Sequence, residues 1–246
     1  MLNRSALKQQ AKEINKAAKV NVYSFTLLYL LLTAALTALD TFVTGGQLQT
    51  LLDMYTELGF EVPFTIPTLP MPAASAVFVG VIATLLTSVL SVGHSLYHLG
   101  IRRQKHMDYM TLFDGFTFVG KVILLALVQT ALITLWSMLF FFPGIIAQYR
   151  YRFAFYNLCS DPRMGVMEAI RLSCRQTRGY KMQLFILDLS FLGWALLTAL
   201  TAGILSIWYI PYYTQTDVGA YYAICQAQGI LIPGSDLPPY EDTPNF

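Results

Sequence analysis

The chain has 246 residues, 55% of them hydrophobic and only 12% charged, with a formal net charge of +2. A soluble domain carries about 25% charged residues, so this composition argues against a soluble enzyme and for an all-α, polytopic membrane protein. The three cysteines, Cys159, Cys174 and Cys225, are odd in number and lack a C-x-x-C spacing, which argues against a disulfide framework or a zinc site.

Residues 1–21 predict a basic amphipathic helix. Arg4, Lys8, Lys12 and Lys16 recur every four positions, and Leu7, Ala11, Ile14 and Ala18 line another face. A basic face beside a span suits anionic lipid headgroups on the cytoplasmic leaflet, so Lys8, Lys12 and Lys16 are expected at the lipid surface. One short stripe without a recognisable binding fold gives no case for nucleic acid. The first apolar run starts near Val22 and lacks a clear small-x-small cleavage site, which reads as a retained signal anchor.

Six spans are expected, at about 22–39, 73–96, 118–142, 144–160, 182–200 and 204–224. The loop 40–72 carries four acids and no base, and is broken by Gly45-Gly46 and by Pro63, Pro67, Pro70 and Pro72. A short surface helix is expected inside it, at Gln47–Leu58. Basic loops stay in the cytoplasm. That rule puts the N-terminus inside, 40–72 outside and the turn with Arg102, Arg103 and Lys105 inside. The third span then ends outside near Phe142. Seven bases follow in residues 150–181. They return to the cytoplasm only if 144–160 crosses, with Pro143-Gly144 as the external turn. The competing reading leaves 150–181 as an external loop.

Residues 162–178 predict a helix on the inner leaflet, with Asp161 as cap and Pro162 at its first position. Met164, Met167, Ile170 and Cys174 form its apolar stripe. Arg171, Arg175 and Arg178 are expected at the lipid surface, and Gly179 ends the helix. The sixth span is interrupted by Pro211 and carries Asp217, so a longer fifth span with an external C-terminus is its competitor. The segment 227–246 is acidic and Pro-rich, and is expected to be a disordered tail. Both termini are expected in the cytoplasm of a bacterial cell.

With these spans, Arg150, Arg152, Asp188 and Asp217 fall within one layer about 7 Å thick, about 10 Å or more from the inner face at 1.5 Å per residue. Charges inside a bilayer are costly unless paired, so the four are a candidate binding cluster. Arg150 and Arg152 sit about 200° apart on a helix and cannot face one neighbour together. One is expected on Asp188 and the other on Asp217, in a wet cavity or at the headgroups, with tyrosines lining the site. The competing reading is a buried pair that only fixes helix register. His94 and His98 share a helix face and, with His106 or Asp108, are a candidate metal pair, though no H-E-x-x-H is present. No Walker A loop, G-x-S-x-G elbow or dinucleotide fingerprint occurs. No catalytic residue and no cofactor is expected.

The segments "FDGF" (113–116), "PGII" (143–146), "EAIRLS" (168–173), "RGYKMQLFILDLSFLGW" (178–194) and "IPYY" (210–213) resemble an uncharacterised bacterial integral membrane family, DUF975. That resemblance implies a helical membrane protein and brings no activity, substrate or catalytic residue. The expectation is therefore a non-catalytic membrane protein that acts through membrane partners or as a homo-oligomer, or through lipid or envelope organisation. A small-solute or lipid transporter built on the Arg/Asp cluster is the alternative, and an intramembrane metal-dependent enzyme the second.

Overall fold

The computed structural model describes residues 2–44, 54–59, 73–139 and 141–234. Among them the chain forms only helices and turns. They are α1 (Arg4–Ala17), α2 (Val22–Thr44), α3 (Ala73–Arg102), a 3₁₀ helix (Tyr109–Phe118) and α4 (Val119–Leu139). Then come α5 (Phe141–Tyr151), α6 (Ala154–Ser160), α7 (Val166–Gln176), α8 (Lys181–Leu189), α9 (Leu192–Leu200) and α10 (Ser206–Ala227). Most of the 40–72 loop, including 47–53 of its expected surface helix, and residues 235–246 of the tail lie outside the described residues. Residues 54–57 are helical.

Two antiparallel hairpins carry most of the apolar surface. In the first, α2 runs against α3: Tyr97 OH donates to the Val20 carbonyl at 2.9 Å, and Tyr29 OH meets Ser91 Oγ at 3.1 Å. Phe25 stacks on Tyr97 with ring centroids 3.8 Å apart. The 3₁₀ helix folds back on α3 because two glycines let backbones touch. A Cβ at Gly93 would run into the Leu112 carbonyl, and one at Gly115 would lie 2.6 Å from the Val89 oxygen. The stretch between the expected second and third spans is therefore mostly helical, and the third apolar helix begins at Tyr109, ahead of the expected residue 118.

The second hairpin is α4 against α5 and α6. Gly144 packs on Ser137. Gln129 Nε2 donates to the Tyr151 carbonyl at 3.3 Å. Lys121 Nζ donates to the carbonyls of Pro162, Arg163 and Met164 at 2.6–3.2 Å. Residue 162 thus returns to the end of α4 from which residue 121 started. The returning limb is broken, because helix geometry lapses at Arg152 and Phe153. The freed backbone groups find partners on α7: Ser173 Oγ and Thr177 Oγ1 donate to the Arg150 carbonyl, and Phe153 N donates to Ser173 Oγ. Orphaned groups at such a break are tolerated when neighbouring hydroxyls take them up.

Val22–Val43, Val77–Arg102 and Tyr109–Met138 are each long and apolar enough to cross a membrane; Lys181–Leu189 with Leu192–Leu200, bent by 40°, is a fourth such segment if counted as one. This supports three or four spans where six were expected. The expected span 144–160 falls on two short helices. The expected span 204–224 falls on α10, which is long but carries Gln215, Thr216 and Asp217, all buried in the protein.

The helix expected at 162–178 begins at Val166 and packs inward. Asp161 forms a local turn by accepting from Arg163 N, while Glu168 reaches back to Gly165 N at 3.5 Å. Its buried side is Val166, Ala169, Ile170, Leu172, Ser173 and Gln176. Met167, expected on the apolar stripe, is 51% exposed. The polar Ser173 and Gln176 lie on the inward side because they serve buried hydrogen bonds, which an apolarity pattern does not register. Arg171, Arg175 and Arg178 are exposed.

The N-terminal helix does show the expected inward face, with Leu7 and Ala11 buried. It lies along α10, where Asn15 Nδ2 donates to the Pro211 carbonyl at 3.2 Å. Lys8, expected at the lipid surface, is half-buried. Its Nζ donates to the Ser190 carbonyl at 3.0 Å and sits 4.1 Å from the Phe191 ring centroid. It caps the end of α8, where the helix bend leaves carbonyls unpaired. Partial burial, then the charges of Arg4 and Lys12, lower its pKa from the ordinary 10.5.

Candidate functional site: one arginine between two aspartates

The break between α5 and α6 turns Arg152 toward α8 and α10. Each nitrogen of its guanidinium has a carboxylate partner. Nη1 and Nη2 reach Asp188 Oδ2 and Oδ1 at 2.6 and 2.8 Å, a bidentate pair. Nε and Nη2 reach Asp217 Oδ1 at 2.8 and 2.7 Å. Three tyrosines complete the shell. Tyr149 OH donates to Asp188 Oδ2 and Tyr156 OH to Asp217 Oδ2, both at 2.8 Å. Tyr213 OH accepts from Arg152 Nη2 at 2.8 Å and donates to Asp188 Oδ1 at 3.0 Å. The side chains of Arg152, Asp188 and Asp217 are 13%, 26% and 8% exposed. With both aspartates ionised the cluster holds one positive and two negative charges, offset by three phenolic donors.

The pair expected between Arg152 and Asp188 is therefore present, and Asp217 joins it. Arg150 does not. It is exposed, and its Nε lies 3.2 Å from Cys174 Sγ. The break in the helix is the physical reason: Arg150 stays on α5 and points at α7, while the turn at residues 152–153 swings Arg152 to the aspartates. Both carboxylates then fall to one guanidinium, whose planar fork can hold two.

A second buried network escaped the sequence reading. Asn157 and Gln176 exchange side-chain hydrogen bonds at 2.9 Å in both directions. Tyr221 OH donates to Asn157 Oδ1 at 2.9 Å, and Gln176 Nε2 lies 3.3 Å from Cys225 Sγ. The network ties α6, α7 and α10. Its only signal in the sequence is an isolated amide within an apolar run. Cys159, Cys174 and Cys225 are all free thiols.

His94 and His98 do lie along one face of α3, with ring centroids 4.7 Å apart and planes tilted by 59°. Their expected third ligands do not reach them. His106 pairs with Asp108 at 3.4 Å on the surface. Among the described residues no three His, Cys, Asp or Glu side chains group as a metal-binding set. His98 Nδ1 instead meets Gln215 Oε1 at 3.0 Å.

The basic turn after α3 is also used internally. Arg103 donates to Tyr222 OH, Ser160 Oγ and the Pro233 carbonyl at 2.8, 2.9 and 3.4 Å. It gathers the ends of α6 and α10 at one end of the molecule.

No curated protein and no solved structure matches the chain. Residues 139–228, the segment that holds Arg152, Asp188, Asp217 and the amide network, match the family model described as "Protein of unknown function (DUF975)", and over that segment the chain resembles this family.

Proposed function

We propose that the chain is a non-catalytic integral membrane protein that acts through membrane partners and anionic lipid, and that the Arg152 cluster is its internal strut. The observation that carries this reading is that Arg152 offers each guanidinium nitrogen to a carboxylate of its own chain, leaving none turned to a ligand. Buried ion clusters of this kind fix the register of the elements they join. Here those elements are the α5–α6 break, α8 and α10. Lys12, Lys16, Arg171, Arg175 and Arg178 are exposed, which fits contact with acidic headgroups at the cytoplasmic face.

A second reading, a transporter for a small solute or lipid, draws on the surplus negative charge and on Asp188, whose side chain is 26% exposed. Hydroxyl-radical footprinting of the protein in membranes separates the two. A dry strut predicts that Tyr156 is oxidised at least tenfold more slowly than Tyr23 and Tyr109, which are 39% and 44% exposed. Oxidation of Tyr156 and Tyr213 at the rate of those surface tyrosines would establish a wet cavity and remove the strut reading.

A further inference from the structure

A cleft of about 1270 Å³ opens at the end of the first hairpin where α2 begins and α3 ends. Its walls are the C-terminal half of α1, the turn after α3 and the segment Gly229–Ile232 after α10. The floor is apolar, with Ile14, Ile101, Met107 and Ile230. Around it stand Lys19, Arg102 and Lys105, against one acid, Glu13. Lys19 and Lys105 are exposed, and Arg102 is half-buried against Tyr222, with its guanidinium carbon 5.3 Å from the ring centroid. The site is larger than the roughly 300–1,000 Å³ of usual small-molecule pockets. It combines an apolar body with three cations and lies beside two helices that are apolar enough to span a membrane.

We infer that this cleft binds one anionic phospholipid, with the phosphate on Lys19, Arg102 and Lys105 and the upper acyl chains on the apolar floor. Two features select this occupant. The excess of cations fits a phosphate diester, and an apolar floor next to the membrane-spanning helices fits the chains attached to it. A soluble anion would use the cations and leave the apolar floor in water. The inference rests on the reading of the chain as an integral membrane protein. The cleft is separate from the Lys12, Lys16 and Arg171–Arg178 surface, which offers charge without an enclosed apolar wall.

The test is lipid retention. The full chain is extracted in mild detergent from membranes containing phosphatidylglycerol and phosphatidylcholine, and bound lipid is quantified by mass spectrometry. The wild type is expected to keep about one phosphatidylglycerol per chain and at least fivefold less phosphatidylcholine. Lys19→Gln/Lys105→Gln removes two exposed charges, and Ala17→Trp fills the cleft while keeping all three cations. Each is expected to lower retained phosphatidylglycerol at least fivefold, with Arg163→Gln, an exposed charge outside the cleft, unchanged. Wild-type retention by either cleft variant, or equal retention of the two lipids, would overturn the inference. So would displacement of the lipid by millimolar inorganic phosphate. Release of the protein from membranes by alkaline carbonate would instead refute the membrane reading beneath it.

Discussion

At Arg152 one buried positive charge faces two negative ones. Removing the arginine leaves two carboxylates in a poorly solvated place, whereas removing one carboxylate leaves a balanced pair. Arg152→Met should therefore lower unfolding stability by about 3–5 kcal/mol. Asp217→Asn should cost about 1–2 kcal/mol, and Asp188→Asn less, because Asp188 is the more exposed of the two. The triple change Arg152→Met/Asp188→Leu/Asp217→Leu removes every charge and should recover most of the loss caused by Arg152→Met alone. Thermal unfolding in detergent measures all four. A triple variant no more stable than Arg152→Met would show that the three residues do not act as one unit. The sequence made Arg152–Asp188 visible because charge is rare in apolar helices and helix rise places it at a definite depth. It did not show that Arg152 would take both aspartates, since that follows from a break in the helix.

Among the elements, the broken limb α5–α6 decides the arrangement. Its freed backbone groups depend on two hydroxyls, Ser173 of α7 and Thr177 at its C-terminal end. Ser173→Ala leaves the Phe153 N–H without its partner and should cost about 1–3 kcal/mol. Thr177→Val leaves the Arg150 carbonyl its bond from Ser173 and should cost under about 1 kcal/mol. Comparing the two melting temperatures checks the assignment, and equal losses would contradict it. A different element is governed by Gly93, where any side chain meets the Leu112 carbonyl. Gly93→Val should free the 3₁₀ helix from α3, seen as faster hydrogen exchange over Tyr109–Phe118. Periodicity and apolar length made α1, α2, α3 and α4 legible in advance. Helix ends were less so. The α3–3₁₀ approach depends on two glycines 22 residues apart in sequence, and the α7 face depends on buried polar residues.

At the scale of the whole molecule, apolar length identified the helices able to cross a membrane. Length alone is not enough for α10, which is long but carries Gln215, Thr216 and Asp217 within it and is not among the candidate spans. Charge counting predicts that the chain turns back after Phe142. Lys121 binding the carbonyls of residues 162–164 places that return at the starting end of α4. The proposed topology follows from joining that contact to the positive-inside rule. On that proposal the N-terminal bases, the turn with Arg102–Lys105 and residue 161 share the cytoplasmic face, and the two short helices α5 and α6, which are not among the candidate spans, bring Arg152 back beside α4. The most direct test is a pair of reporter fusions in cells, after Gln104 and after Asp161. Cytoplasmic signals from both are predicted. A cytoplasmic signal after Gln104 with an external one after Asp161 would contradict the return, and with it the placing of Arg152, Asp188 and Asp217 inside the membrane.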